Sequence, residues 1–265
     1  MKYEFAFMGC GNMGGALVRA VAKAVSPTKI ALFDKDTEKA NALGVETGAI
    51  PTTLKDVCEN ARFLVLGVKP QVMDAALLEA QEYLLAREDL TLITMAAGLS
   101  ISAVKQAAGK RFPTIRIMPN TPAEVGEGMI LYCADHVDGE SLQAFLTAFA
   151  PCGKLMHMEE SKIDAASALS GCGPAFCYMF IEALADGAVE CGIPRAQALE
   201  LAAQTALGAS KMVLKHGNPG TLKDNVCSPG GTTIAGVHAL EKDGLRAAAM
   251  DAVLASYQKT LALKK

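Results

Sequence analysis

The sequence Gly9-Cys10-Gly11-Asn12-Met13-Gly14 lies directly after a short apolar run, Tyr3–Met8, and opens a segment of helical composition. In a turn of this type the first glycine permits a tight bend, the second lets the backbone approach a diphosphate, and the third lets the helix pack against the strand. Amides at the start of the helix then face the anion. The glycine pattern alone is weak evidence, but its position between a strand and a helix favours a dinucleotide-binding turn over an ordinary glycine-rich turn.

Short apolar runs alternate with helical segments over roughly the first 150 residues. The predicted strands are Tyr3–Met8, Lys29–Phe33, Phe63–Val68, Thr91–Met95 and Thr114–Met118. The predicted helices are Asn12–Val25, Lys39–Leu43, Gln71–Leu85 and Ser100–Ala107. Strands that alternate with helices in this way form βαβ units, which produce a parallel sheet covered on both faces. Further strands are expected at Met129–Tyr132 and near Leu155.

From about Glu159 onward the apolar residues recur at every third and fourth position, which is the helical period. The predicted helices are Ile163–Leu169, Phe176–Cys191, Ala196–Leu214, Thr232–Leu240 and Leu245–Leu263. We therefore predict an α/β Rossmann domain with a mostly parallel, doubly wound sheet over residues 1–157. An all-α domain is predicted over residues 158–265, and the loop and the family resemblance described below make it the domain for substrate binding and dimerisation. So small a domain offers little core for helices that are apolar nearly all round, which favours a homodimer through this half.

The composition excludes several classes of protein. Of 265 residues, 51% are hydrophobic and 20% are charged, so the chain can bury a core and is not disordered. A net charge of −3 without charge blocks, and the absence of Trp, argue against nucleic acid as a partner. The eight cysteines include no Cys-x-x-Cys pair, so neither a metal site nor a redox dithiol is predicted.

The sequence also predicts a cytoplasmic protein that does not enter a membrane. The N-terminal run carries Lys2 and Glu4, which is not typical of a signal peptide. The longest uncharged stretch, Ala165–Ile181, is interrupted by glycine and proline, so we expect it to be buried protein and not a membrane span.

Asp34 follows the second predicted strand, 20 residues after Gly14. At this distance a carboxylate accepts hydrogen bonds from the adenine ribose hydroxyls of a dinucleotide. The alternative is a helix N-cap. A carboxylate repels a 2′-phosphate, and Asp36 adds a second negative charge, although Lys35 offsets them in part. The sequence therefore favours NADH over NADPH.

Other strand ends should line the same crevice, because ligands of open parallel sheets bind beyond the carboxyl ends of the strands. Lys69 is either a cofactor contact or a surface lysine, and Asn120 is either a contact or the start of a turn. The predicted cofactor-binding residues are Met8, Gly9, Cys10, Gly11, Asn12, Met13, Gly14, Asp34, Lys35, Val68, Lys69, Pro70, Ala96, Ala97, Gly98 and Asn120.

A second glycine-rich loop lies in the helical half, where Ser228-Pro229-Gly230-Gly231-Thr232-Thr233 leads into a predicted helix. Two glycines and several hydroxyls at a helix start, with free amides pointing outward, are typical of an anion site. The alternative is an N-cap followed by an inert loop.

The segment around this loop resembles the signature of the pyrroline-5-carboxylate reductases in Pro219–Asp224, Ser228–Thr233 and Gly236–Glu241. The resemblance continues, in family order, in Gly67–Pro70, Met118–Pro122, Ala168–Phe176 and Gly192–Pro194. It implies reduction of the cyclic imine 1-pyrroline-5-carboxylate to proline by NADH or NADPH. It also implies a Rossmann domain and a helical domain that intertwines with its partner, often within larger rings of dimers.

Carried over by position, the resemblance also implies site residues. The substrate carboxylate would lie on Ser228, Gly230, Gly231, Thr232 and Thr233, with Asp224 and Val226 beside them, and Asn225 and Glu159 would reach the cofactor. The Thr233 hydroxyl is the candidate catalytic group, as a hydrogen-bond donor to the ring nitrogen, and a helix N-cap is its alternative. Members of the family often carry His directly before the residue equivalent to Pro219, where this chain has Asn218, so no substrate role is assigned there.

Two other functions stay open at this point. A β-hydroxyacid dehydrogenase shares the two-domain plan but commonly uses a lysine on the helix after its glycine-rich segment, and residues 171–178 contain none. A non-catalytic dinucleotide sensor would not need a second anion loop. For a reductase, the carboxylate loop and the nicotinamide must meet at the junction of the two domains, either within one chain or between partners.

Overall fold

The computed structural model describes residues 1–263, which form two compact units. The first unit contains Met1–Cys172 together with the described residues from Ser256 onward, and the second contains Gly173–Ala255. The strands of the first unit are β1 (Tyr3–Met8), β2 (Ile30–Phe33), β3 (Ile50–Pro51), β4 (Ala61–Leu66), β5 (Thr91–Thr94), β6 (Thr114–Met118), β7 (Gly128–Asp135) and β8 (Gly153–His157). Its helices are α1 (Asn12–Val21), α2 (Thr37–Thr47), α3 (Leu54–Asn60), α4 (Met73–Leu85), α5 (Ile101–Ala107), α6 (Gly139–Phe149) and α7 (Glu160–Ser170).

The eight strands form one sheet in the order β3-β2-β1-β4-β5-β6-β7-β8. All neighbouring pairs are parallel except β6 and β7, which are antiparallel. The first six strands have the strand order of the dinucleotide-binding Rossmann fold, and the order reverses between β1 and β4. This confirms the predicted mostly parallel, doubly wound sheet.

The sheet separates two apolar cores because successive side chains of a strand point to opposite faces. In β1, Phe5 and Phe7 belong to one core, whereas Ala6 and Met8 belong to the other. The Phe5 ring stacks on the Phe63 ring of β4 with their centroids 4.7 Å apart. Full burial of each such side chain contributes about 1.5–3 kcal/mol, so the central strands that carry the glycine turn are strongly anchored.

The division between the units lies after Cys172, later in the chain than the predicted boundary at 157/158. The reason is that α7 packs onto the sheet. Its Ile163 is fully buried in one cluster with Met118 and Leu131. The boundary at 157/158 corresponds instead to the end of β8, where the sheet is complete.

The second unit is helical throughout its regular structure and has little core of its own. Its helices are α8 (Gly173–Glu190), α9 (Arg195–His216), α10 (Pro219–Val226), α11 (Thr232–Lys242) and the first part of α12 (Leu245–Leu263). The buried hydrophobic residues described here are three alanines, Ala185, Ala198 and Ala202. Large apolar side chains stay in solvent, as Met179 (70% exposed) and Leu214 (77% exposed) show. A surface of this kind is typical of a subunit interface.

Among the described residues, one helical stretch, Glu160–Glu190, is long and apolar enough to cross a membrane by length and composition, with a mean hydropathy of 1.3. This stretch contains the shorter run Ala165–Ile181, for which the sequence predicts burial. In the single chain, 11% of the most apolar 18 residues of the stretch are buried, so the predicted burial is not met within one chain. Length and composition are weak evidence here, because a helix at a subunit interface has the same properties.

Candidate functional site

The carboxyl ends of the central strands are level with one another. Met8 is in register with Phe33 of β2 and with Leu66 of β4, and Leu66 is in register with Thr94 of β5. The residues that follow these four positions therefore open onto one edge of the sheet. Since the strand order reverses between β1 and β4, this edge is where a ligand of such a sheet binds.

At this edge the ends of β1, β2 and β4 are joined through their backbones. The Gly9 amide donates to the Phe33 carbonyl (2.7 Å), and the Gly67 amide donates to the Met8 carbonyl (2.8 Å). Gly9 has a φ of +109°, and a Cβ built on it would lie 2.7 Å from the Gly67 carbonyl carbon. Gly9 therefore cannot be replaced without moving a neighbouring loop. Gly67 was not among the predicted cofactor residues, and its contact with Gly9 depends on strand pairing that local sequence does not reveal.

The other two glycines of the turn differ in their surroundings. A Cβ on Gly14 would overlap the Gly9 carbonyl oxygen, whereas a Cβ on Gly11 would meet nothing within 4 Å. Gly11 is the exposed N-cap residue of α1, and the first helical amides, from Asn12 onward, have no acceptor within the helix. The turn thus presents open space and free N–H groups, which fit a diphosphate.

Asp34 bonds directly to this turn. Its Oδ2 accepts the Cys10 N–H (2.7 Å) and its Oδ1 accepts the Asp36 N–H (2.9 Å). The N-cap position of α2 is occupied by Asp36, so the alternative assignment of Asp34 as a helix N-cap is wrong. Burial, with a further contribution from Asp34, raises the pKa of the Cys10 thiol to about 12. This thiol therefore stays protonated and adds no negative charge beside a bound diphosphate.

Both lysines near Asp34 are paired with carboxylates. Lys35 Nζ lies 2.8 Å from Glu79 Oε2 of α4, and Lys39 Nζ lies 3.1 Å from Asp36 Oδ2. The Asp36 partner raises the pKa of Lys39, and Lys39 lowers the pKa of Asp36. Lys35, a predicted cofactor-binding residue, is thus exposed but already paired with Glu79.

The remaining strand-end residues line the same edge to different degrees. Val68 is half-buried against the core, Lys69 is exposed, and Pro70 begins a short 3-10 helix at Pro70–Val72. Ala96 is buried, so its backbone and not its methyl group is available to a ligand, while Ala97 is exposed.

Asn120 has a structural role that its sequence position did not reveal. Its Nδ2 donates to the Ser170 carbonyl (2.8 Å), and its Oδ1 accepts the Met129 N–H (2.9 Å). The buried amide therefore connects the end of β6 to β7 and α7. These hydrogen bonds account for an asparagine at this position without a cofactor contact.

Glu159 does not lie near the glycine turn of its own chain. It precedes α7 directly after β8, and β8 is five strands from β1, roughly 24 Å at the usual spacing. Its exposed side chain borders a cavity of about 1260 Å³ together with Lys105, Arg111 and His136.

The second glycine-rich loop forms the start of α11. The Gly231 amide donates to the Ser228 carbonyl (3.0 Å), which closes a turn, and Gly231 occupies the N-cap position. Thr232 and Thr233 are the first two residues of the helix and both are exposed. Thr233 as an N-cap is therefore wrong, and the residue lies in the first helical turn, whose amides have no acceptor within the helix.

The residues before this loop form α10, a helix that sequence analysis did not predict. The Asn218 side chain caps it by accepting the N–H groups of Gly220 (2.9 Å) and Thr221 (3.3 Å). Asn218 thus has a local structural role. Asp224 lies in the last turn and pairs with Lys223 (2.7 Å), while Asn225 and Val226 are exposed at the end of the helix.

Comparison with known proteins gives these features a family. Residues 160–263 match the model of the pyrroline-5-carboxylate reductase dimerisation domain, and residues 4–98 match the model described as NADP oxidoreductase coenzyme F420-dependent. The pyrroline-5-carboxylate reductase of Arabidopsis thaliana is 39% identical, over 100% of this chain and 96% of its own length. That of Escherichia coli K12 is 38% identical over 100% of both chains.

A solved structure agrees with these relatives over the whole chain. The crystal structure of Plasmodium falciparum pyrroline carboxylate reductase with NADP bound is 31% identical and superposes with a TM-score of 0.89, covering 100% of both chains. Identity at this level over the full length, together with the matched dimerisation domain, decides between the candidate families. The chain belongs to the pyrroline-5-carboxylate reductase family.

Proposed function

We propose that this chain is an NAD(P)H-dependent oxidoreductase that reduces 1-pyrroline-5-carboxylate to L-proline, the last step of proline biosynthesis. The observation that carries the proposal is 38–39% sequence identity, over the full length of this chain, to reductases of this name in a plant and a bacterium. Two glycine-capped helix starts, at α1 and α11, support it, because such starts suit anions and the reaction needs one site for a dinucleotide and one for a small carboxylate.

The cofactor half of the site follows from the glycine turn. The open space at Gly11 and the first amides of α1 would hold the diphosphate, and Asp34 would face the adenine ribose. When bound, the nicotinamide supplies the hydride. The protein's own part is to hold the imine carbon about 3–3.5 Å from the hydride donor and to exclude water.

The substrate half follows from the start of α11. The amides of Thr232 and Thr233, with the Ser228 hydroxyl, would bind the substrate carboxylate at the positive end of the helix. A protonated ring nitrogen makes the imine carbon electrophilic, so the protein needs no nucleophile. The Thr233 hydroxyl is our candidate for the hydrogen bond to that nitrogen.

Replacing Thr233 by alanine should lower kcat about 10- to 100-fold while leaving NADH affinity unchanged, because the hydroxyl acts on the ring nitrogen and not on the cofactor. The measurement is steady-state kinetics together with a direct NADH titration. Thr233→Ser keeps the hydroxyl and should retain most of the activity. A Thr233→Ala enzyme with wild-type kcat would remove the residue from the reaction.

The assignment itself is tested by following the absorbance of NADH and of NADPH with pyrroline-5-carboxylate. Oxidation of the cofactor with formation of proline is expected. The same assay in reverse with 3-hydroxy acids tests the β-hydroxyacid dehydrogenase alternative. Cofactor binding without turnover on either substrate would favour a non-catalytic sensor and contradict the proposal.

The second unit should hold two chains together, because its match to a dimerisation domain coincides with its exposed apolar side chains. Light scattering should give at least twice the 27.7 kDa of one chain. Met179→Glu should shift the protein toward monomer. Val45→Glu, at a side chain of the first unit that is 91% exposed, is the matched control and should not. A folded wild-type monomer at micromolar concentration would exclude the dimer.

Assembly of such dimers into larger rings and a cytoplasmic location complete the proposal. The family resemblance supports the first, and the geometry, in which none of the eight cysteines of the described chain forms a disulfide, is consistent with the second.

A further inference from the structure

The carboxylate of Asp34 can recognise a hydrogen-bond donor but not another acceptor. Each of its oxygens already accepts one backbone N–H, from Cys10 and from Asp36. An ionised carboxylate is an acceptor-only group with about four lone-pair sites, so each oxygen keeps room for one further donor. A ribose hydroxyl supplies such a donor, whereas a 2′-phosphate at the same place supplies acceptors and negative charge.

The charges around Asp34 reinforce this preference. Residues 34–39 contain three carboxylates and two lysines, so the segment is net negative. Lys39 is paired with Asp36, and Lys35 is paired with Glu79, which brings a fourth carboxylate from α4. The two cations that could attract a 2′-phosphate are therefore each held by a carboxylate.

The same carboxylate also holds the phosphate turn. The Cys10 N–H that it accepts belongs to the residue between Gly9 and Gly11, so the position of the turn depends on the same carboxylate that would bind the ribose. Charge-assisted hydrogen bonds of this kind are roughly twice as strong as neutral ones.

We propose that Asp34 makes this chain selective for NADH over NADPH and also positions the diphosphate turn through Cys10, so that ribose recognition and diphosphate binding are coupled through one side chain. The inference rests on the cofactor part of the proposed function and names the cofactor.

The first test is the dissociation constant of each reduced cofactor, measured by calorimetry on the full-length, cofactor-free protein without any imine. Wild-type protein should bind NADH at least about tenfold more tightly than NADPH, which corresponds to 1.4 kcal/mol. Equal affinities, or tighter NADPH binding, would overturn the selectivity.

Asp34→Asn tests whether Asp34 selects the cofactor or only holds the glycine turn in place. The amide keeps one acceptor oxygen but loses the charge and the second acceptor, so NADH binding should weaken at least about tenfold. NADPH binding should change by less than about threefold, because the lost hydrogen bonds are offset by the removal of a repelling charge. If both affinities fall by the same factor, Asp34 holds the turn without selecting the cofactor; if neither changes, the proposal fails altogether.

Glu79→Gln is the matched variant outside the turn. It releases Lys35 without touching Asp34 or Cys10, so NADPH should bind about two- to threefold more tightly while NADH affinity stays constant. A change in NADH affinity of the same size would contradict the assignment. Because these titrations contain no substrate, a protein that selects NADH but fails to reduce the imine would refute the proposed function and leave this inference standing.

Discussion

Replacing Arg116 by alanine should lower the free energy of unfolding of the cofactor-free protein by about 3–5 kcal/mol, because the change breaks a buried ion pair from one side. Arg116 lies in the middle of β6 and is 2% exposed. Its guanidinium bonds to Asp164 Oδ1 (2.5 Å) and lies 3.4 Å from Glu160 Oε1. Glu160 also accepts the Ile101 N–H at the start of α5 (2.7 Å). One cation thus connects β6 to α7 directly and to α5 through Glu160.

A bidentate arginine pair at the surface provides the control for this prediction. Arg19 donates to both oxygens of Glu46, at 2.6 and 2.8 Å, but this pair is far more exposed than the Arg116 pair, with 37% of the Arg19 side chain and 50% of the Glu46 side chain in solvent. Arg19→Ala should therefore cost less than about 1 kcal/mol. The measurement is urea unfolding followed by circular dichroism, at one fixed protein concentration because the stability of a dimer depends on it.

A second substitution identifies the origin of the loss. If the cost arises from leaving Asp164 without its guanidinium, Asp164→Ala added to Arg116→Ala should recover part of the lost stability. Strict additivity of the two losses would mean that Arg116 acts through packing and not through charge.

Sequence patterns predicted the elements that are long or strongly apolar. The strands Tyr3–Met8 and Thr114–Met118 occur with the predicted limits, because each is a short, mainly apolar run that ends at a turn signal, Gly9 in one case and Pro119-Asn120 in the other. The helices α3 and α6 were missed although each has a capping signal. Thr53 Oγ1 accepts the Asp56 N–H (3.2 Å), and Asp138 Oδ1 accepts the Ser141 N–H (2.8 Å). Attention to such N-caps, as well as to apolar periodicity, would have found them.

Around the predicted site, the backbone geometry follows from the sequence more directly than the side-chain contacts do. The glycine turn was predictable because steric rules fix which positions need glycine. The partners of Asp34 and Asn120 were not, since each bonds to groups that are close in space but distant in sequence, as Cys10 is to Asp34 and Ser170 is to Asn120. Lys35 appeared as a free cation in the sequence because its partner Glu79 lies on α4.

Replacing Gly14 by alanine should both destabilise the protein and abolish measurable NADH binding. The new Cβ would overlap the carbonyl oxygen of Gly9, which is backbone and cannot swing away as a flexible side chain would. Gly9 is itself held against Gly67, so α1 would have to move off the sheet. Forcing such overlap typically costs 1–3 kcal/mol. Thermal unfolding of the cofactor-free protein and NADH titration measure the two effects.

Gly11→Ala is the decisive partner of that variant, because the two substitutions add the same methyl group three residues apart. Around Gly11 the methyl meets nothing within 4 Å, so the unfolding temperature of the cofactor-free protein should hardly change. The same methyl would occupy the space assigned to the diphosphate, so NADH affinity should fall at least about tenfold, or 1.4 kcal/mol. Wild-type NADH affinity in Gly11→Ala would show that the diphosphate lies elsewhere. Loss of stability in that variant would show that the turn is packed and not open. Unchanged stability together with weakened NADH binding would therefore identify Gly11 as the position where the backbone contacts the diphosphate.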